Sequence, residues 1–233
     1  MIKIFHGSDH VIRQPLYLGG KPDNDYGNGF YTTEYEDRAR SWATLNGNPD
    51  LSVVNVYELD TENLQIMDLN EQGVLAWIAE VIANRGINEE NASIVGERLI
   101  KMYRPVTENA DILKGYRADD SYTQVIEAFL LNQINLYEVE RLFYKGSLGN
   151  QIFLKSKKAF EKIKWKSAYH VSLVEEDWKS DLSARREVGK FLSERMKAIL
   201  LEGYQVPEIT ARYAVNHYLR FQKESGEYEE TSL

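Results

Sequence analysis

Gly27-Asn28-Gly29-Phe30-Tyr31-Thr32-Thr33 carries the most structural information in the chain, together with His6-Gly7-Ser8 at the end of a short apolar run. Glycines this close to an aromatic and two threonines mark a tight backbone turn, or a place where a ligand approaches the main chain, just before a strand begins. His6 follows the strand-like Ile2 to Phe5, and Tyr31 lies in the strand-like Phe30 to Thr33. Two neighbouring strand ends can therefore present His6 and Tyr31 to one cleft.

Working outward, 233 residues of which 43% are hydrophobic suffice for a sizeable core without covalent staples. The absence of cysteine excludes disulfides, thiolate nucleophiles and cysteine metal sites, and fits a reducing compartment. His6, His10, His170 and His217 lack the spacing of a helical zinc motif, so no metal is expected. A formal charge of -8 argues against general affinity for nucleic acid, which needs a clustered basic face. The lysine run at 155, 157, 158, 162, 164 and 166 reads as a solvated face, with attraction of an anionic partner as its alternative. The N-terminal residues lack the apolar region of a signal peptide and no run approaches a membrane span, so cytoplasmic residence is the expectation.

Along the chain, strands are expected at Ile2 to Phe5, Phe30 to Thr33, Val53 to Leu59 and Leu64 to Leu69. A helix from Tyr35 to Leu45 stops at Asn46-Gly47-Asn48-Pro49. Val74, Leu75, Trp77, Ile78, Val81 and Ile82 form one helical stripe, and Ile94, Val95, Leu99 and Ile100 another, which makes a helical insertion. Asp111 to Tyr116 returns to extended structure before helices at Ser121 to Gln133 and Leu136 to Tyr144. Gln151 to Lys155 reads as a strand, and Ser156 caps a short helix carrying Ala159 and Phe160. Tyr169 to Val174 is strand-like. Helices are then expected at Leu182 to Leu201 and, with Pro207 in its first turn, Glu208 to Gln222, followed by a frayed acidic end. The whole reads as an α+β domain over 1–175 with a helical extension over 176–233 packed on it.

The order of these segments resembles a known family. His6-Gly7-Ser8 after a first strand, then Gly27-x-Gly29-Phe30-Tyr31-Thr32-Thr33 before a helix with Ala39 and Trp42-Ala43, looks like the His and Tyr motifs of the ADP-ribosyltransferase superfamily. Gly115-Tyr116-Arg117-Ala118-Asp119-Asp120-Ser121-Tyr122 and Leu148-Gly149-Asn150-Gln151 resemble, more narrowly, a bacterial domain-of-unknown-function family grouped with it. The likeness runs from Ile2 to Trp165. It implies an ADP-ribosyltransferase-like split β-sheet cleft, with NAD+ as substrate and no metal. His6 matches the residue that bonds the adenosine ribose, the Gly7 backbone the group that meets the nicotinamide carboxamide, and Tyr31 the ring that stacks on nicotinamide. Ser8, Gly29 and Arg117 join them as cofactor-binding residues. The third signature position, usually Glu, falls on Gln151.

Cleaving nicotinamide from ribose generates an oxocarbenium-like centre, so the chemistry needs a rigid grip on the leaving ring and an acceptor or negative charge beside the ribose. Gln151 hydrogen-bonds but carries no charge. Asp119 and Asp120 are read either as caps of the following helix, with Arg117 pairing to fix the loop, or as rim groups that orient an acceptor. Glu34 is a weaker substitute carboxylate. Two functions follow: a mono-ADP-ribosyltransferase, a toxin or defence effector modifying an intracellular acceptor and open to a neutralising protein, or a non-catalytic nucleotide- or protein-binding module on the same fold. On the plainer side, His6 is a strand-end histidine bonded to a loop carbonyl, and Tyr31 is one of fifteen tyrosines.

Overall fold

The computed structural model describes residues 1–44, 51–87, 90–118, 120–146, 150–171 and 175–231, and they form mixed α+β structure. They divide into two compact units that are not consecutive in sequence. The first unit takes residues 1–68, 106–117 and 148–182, and the second takes 69–105, 118–147 and 183–233.

The first unit is built on two sheets. One has the order β1 (Ile2–Ser8), β3 (Val53–Leu59) and β7 (Ile163–His170), all antiparallel. The other has the order β2 (Phe30–Thr32), β6 (Asn150–Leu154), β5 (Ile112–Tyr116) and β4 (Ile66–Asp68), with only β4 and β5 parallel. Among the described residues an isolated bridge joins them: Phe5 and Thr33 exchange backbone hydrogen bonds at 2.8 and 2.9 Å.

β3 carries apolar residues on both of its faces because both are covered. Its odd-numbered Tyr57 and Leu59 join Ile4, Phe30, Ile152 and Leu154 in one cluster, while its even-numbered Val54 and Val56 join Phe5, Ala39 and Ala43 of α1 (Glu36–Thr44) in another. Gly7 is where α1 lies closest to β1. A Cβ there would sit 2.0 Å from the Ala39 carbonyl oxygen and 2.5 Å from the Ala43 nitrogen, so only glycine admits the helix. Ser156 caps α6 (Lys157–Glu161), its hydroxyl accepting from the Ala159 N–H, as its position before Ala159 and Phe160 predicts.

The second unit contains α2 (Val74–Arg85), α3 (Glu90–Tyr103), α4 (Asp120–Leu130), α5 (Leu136–Gly146), most of α7 (Glu175–Glu202), α8 (Ala211–Asn216) and a hairpin of β8 (Leu219–Gln222) and β9 (Glu227–Glu230). Residues 176–233 are therefore not a compact unit of their own; from 183 onward they share one with both helical insertions. The tail also differs locally from its expected form. Glu208 has φ 65°, so Pro207 opens no helix, and α8 instead begins after Thr210, whose hydroxyl accepts from the Tyr213 N–H. The acidic end is not frayed. Gly226, at φ 73°, turns the chain back, and the Tyr228 hydroxyl accepts from the Leu75 N–H at 3.0 Å, which anchors β9. The expected helix stop at 46–49 lies outside the described residues, as do the last three residues, 172–174, of the strand expected at 169–174.

Candidate functional site

A cleft of about 870 Å³ has His6, Gly7, Gly29, Phe30 and Tyr31 of the β1 and β2 region on its floor and residues of the loop from His10 to Asn24 as its wall. That volume lies within the range of small-molecule sites. Arg13 and Lys21 line the wall and give the cleft a cationic side in an acidic protein.

His6 Nδ1 lies 2.6 Å from the carbonyl oxygen of Tyr31. A carbonyl only accepts, so the neutral imidazole carries its proton on Nδ1, donates to Tyr31, and keeps Nε2 as an acceptor. Burial lowers the His6 pKa to about 4; the Tyr31 carbonyl pulls it upward and the neighbouring His10 charge pushes it further down. At neutral pH His6 is therefore uncharged. Its ring packs against Phe30, with centroids 4.5 Å apart.

The Tyr31 ring is held at its far end. Its hydroxyl donates to the Gly27 carbonyl at 2.8 Å and accepts from the Tyr26 N–H at 2.9 Å, and its ring meets Phe153 at 4.7 Å. Gly27 adopts φ 85°, the left-handed region that this turn requires. Gly29 is bare for a packing reason, since a Cβ there would fall 2.4 Å from the Phe153 ring and 2.5 Å from the Leu154 carbonyl oxygen. The glycines that first suggested close ligand approach thus also serve the turn and the strand contact.

Of the residues singled out in the sequence, His6, Gly7, Gly29 and Tyr31 are brought together in the cleft. Ser8 is not among the lining residues; its hydroxyl donates to the His10 carbonyl at 2.6 Å and accepts from Asn55 Nδ2 at 2.9 Å. Gln151 does not line the cleft either. It is 2% exposed, and its Nε2 donates to Asp25 Oδ2 at 2.8 Å and to the Tyr116 carbonyl at 3.2 Å. The Arg117 guanidinium lies over the Trp42 ring, 5.2 Å from its centroid. Asp119 and the side chain of Asp120 lie outside the described residues, although Asp120 begins α4. Glu34 faces Lys114 at 3.3 Å.

Three residues were missed. Asn55, fully buried in β3, receives the Ile12 N–H at 2.8 Å on Oδ1 and donates through Nδ2 to the His10 carbonyl at 3.1 Å, which fastens the base of the cleft-wall loop. Tyr57 adds a hydroxyl bond to the Ile12 carbonyl at 2.5 Å. The signal for Asn55 was present: an amide inside Val53-Val54-Asn55-Val56 must be hydrogen-bonded if that strand is buried. Asp25, 6% exposed, gave no such signal among the polar residues of its loop.

The lysine run is largely paired where it stands. Lys158 meets Asp111, Lys162 meets Asp60 and Lys166 meets Glu58 at 3.3, 2.8 and 3.1 Å, and Lys155 donates to the Thr107 carbonyl. Among the described residues no group of three or more His, Cys, Asp or Glu is arranged to hold a metal, and no helix is long and apolar enough to cross a membrane.

Residues 2–165 match the model of a protein family of unknown function, DUF3990. The chain belongs to that family. The matched region contains the whole cleft and ends within β7, so the DUF3990 match stops short of α7, α8 and the hairpin. No curated protein and no solved structure matches the chain.

Proposed function

We propose that the cleft binds NAD+ and that the protein is a mono-ADP-ribosyltransferase for an intracellular acceptor. The observation that carries this reading is that His6 and Tyr31 line one cleft, with a neutral His6 whose Nδ1 is tied to the Tyr31 backbone carbonyl at 2.6 Å and whose Nε2 is left as an acceptor. His6 Nε2 accepts from a ribose hydroxyl, the Tyr31 ring grips nicotinamide, and Arg13 and Lys21 offset the diphosphate. In the reaction, the bond from ribose C1′ to the nicotinamide nitrogen breaks with its electron pair going to the ring. Neutral nicotinamide departs, and the acceptor nucleophile bonds to C1′ and loses its proton to solvent.

Gln151 favours a second reading, a non-catalytic nucleotide-binding module. Its amide carries no charge, is engaged with Asp25, and lies off the cleft lining, so it supplies no carboxylate beside an oxocarbenium centre. Calorimetric titration of NAD+ and nicotinamide release, with and without cell lysate, separate the two. Binding with release supports transfer or hydrolysis; binding without release supports the module; absence of both removes NAD+ as the ligand.

A further inference from the structure

Asp25 and Gln151 are far apart in sequence, yet both are buried and 2.8 Å apart. Gln151 lies on β6 opposite Gly115 of β5, and its Nε2 protons go to two acceptors, Asp25 Oδ2 and the Tyr116 carbonyl. Two acceptors on one side fix the amide with its nitrogen toward them. The same Tyr116 carbonyl accepts from the Tyr26 hydroxyl at 2.6 Å. Tyr26 then gives its backbone N–H to the Tyr31 hydroxyl, which donates to Gly27. A connected set of hydrogen bonds runs from the buried acid and amide to the ring hydroxyl of Tyr31, a residue that lines the cleft.

We infer that Asp25 and Gln151 are positioning residues for the Tyr31 ring. The pair ties the turn at 25–27 to β5 and β6, and the turn holds the Tyr31 hydroxyl. The inference rests on the NAD+ reading only for the identity of the ligand that the ring meets. It also gives a physical reason for an amide at 151. A glutamate would place a second carboxylate against Asp25 in a buried site and remove the donor to Tyr116.

The test is NMR of the full chain with labelled tyrosine rings, reading hydroxyl-proton exchange and ring flipping at Tyr31. Tyr57 is the internal control, because its hydroxyl donates to the Ile12 carbonyl and has no part in this set. In Asp25→Ala and in Gln151→Glu, Tyr31 protection should fall roughly tenfold or more, as expected when a local hydrogen-bonded unit loosens, while Tyr57 keeps its protection. The double variant Asp25→Asn/Gln151→Glu restores a donor facing an acceptor and should recover part of the Tyr31 protection. If Gln151→Glu does not fold alone, a folded double variant with a protected Tyr31 supports the inference, and an equally unfolded one overturns it. Unchanged Tyr31 in both single variants, or Tyr31 and Tyr57 loosening together, also overturns it. Loss at Tyr31 with no NAD+ binding by the wild type leaves the positioning role standing and defeats NAD+ as the ligand.

Discussion

At the residue scale, burial of a neutral His6 ties the stability of the fold to pH. In the unfolded chain His6 titrates at the ordinary histidine value of 6.5, and in the folded chain at about 4. Between those values the unfolded chain binds the additional proton. The stability that the neutral ring contributes is therefore fully present above about pH 6.5 and is lost as the pH falls toward 4. Denaturant melts from pH 7 to 4 should show a loss of about 1–3 kcal/mol that His6→Gln largely flattens, the range allowing for the partial exposure of the ring. Tyr31 makes a different prediction. Sequence alone suggests that Tyr31→Phe is harmless because stacking needs only the ring. The hydroxyl, however, bonds both the Gly27 carbonyl and the Tyr26 N–H. Tyr31→Phe should cost about 1–2 kcal/mol in chemical denaturation and weaken ligand binding as well, since the ring loses its anchor. Tyr31→Ala should weaken NAD+ binding further, by about 1–3 kcal/mol in calorimetry.

Elements explain what the sequence made legible and what it hid. Period and capping located α1, β3, α2 and α6 correctly, because each signal is local: stripes, β-branched runs and the Ser156 cap. Asn55 and Asp25 act across the fold, and their partners at Ile12, His10 and Gln151 are set by strand order, which no window of residues contains. The helical reading of 208–222 held over α8 and failed at 219–222 for a related reason, since Tyr228 secures the hairpin through Leu75, far upstream. Two glycines on helices or facing them show the same contrast. Gly7→Ala drives a methyl group into the α1 backbone at Ala39 and Ala43, so it should destabilise by about 2–3 kcal/mol or push α1 off β1. Gly189, within α7, has nothing within 4 Å of a built Cβ and no left-handed φ. Gly189→Ala should stabilise by about 0.5–1 kcal/mol. Thermal melts of the two variants side by side check both signs.

Across the whole molecule, the chain passes between its two compact units at 68/69, 105/106, 117/118, 147/148 and 182/183, so neither unit is a contiguous piece. The family match ends at residue 165, which invites truncation just beyond it. The second unit argues against that. Tyr103 on α3 donates its hydroxyl to the Ala214 carbonyl at 2.7 Å, the Leu136 N–H at the start of α5 goes to the Ile209 carbonyl at 2.7 Å, and Glu138 pairs with Arg195. Every one of these partners lies beyond residue 175. Removing 176–233 strips α2 to α5 of α8 and the hairpin, leaving the buried Trp77, Leu99 and Phe143 in a unit whose apolar surface is no longer closed. Hydrogen exchange on a 1–175 fragment should find α2 and α3 amides exchanging at least ~100-fold faster than in the full chain, the loss expected when opening becomes easier by about 3 kcal/mol. Slow exchange retained in both helices would show instead that the tail is a separable extension, and that α2 to α5 close their own core.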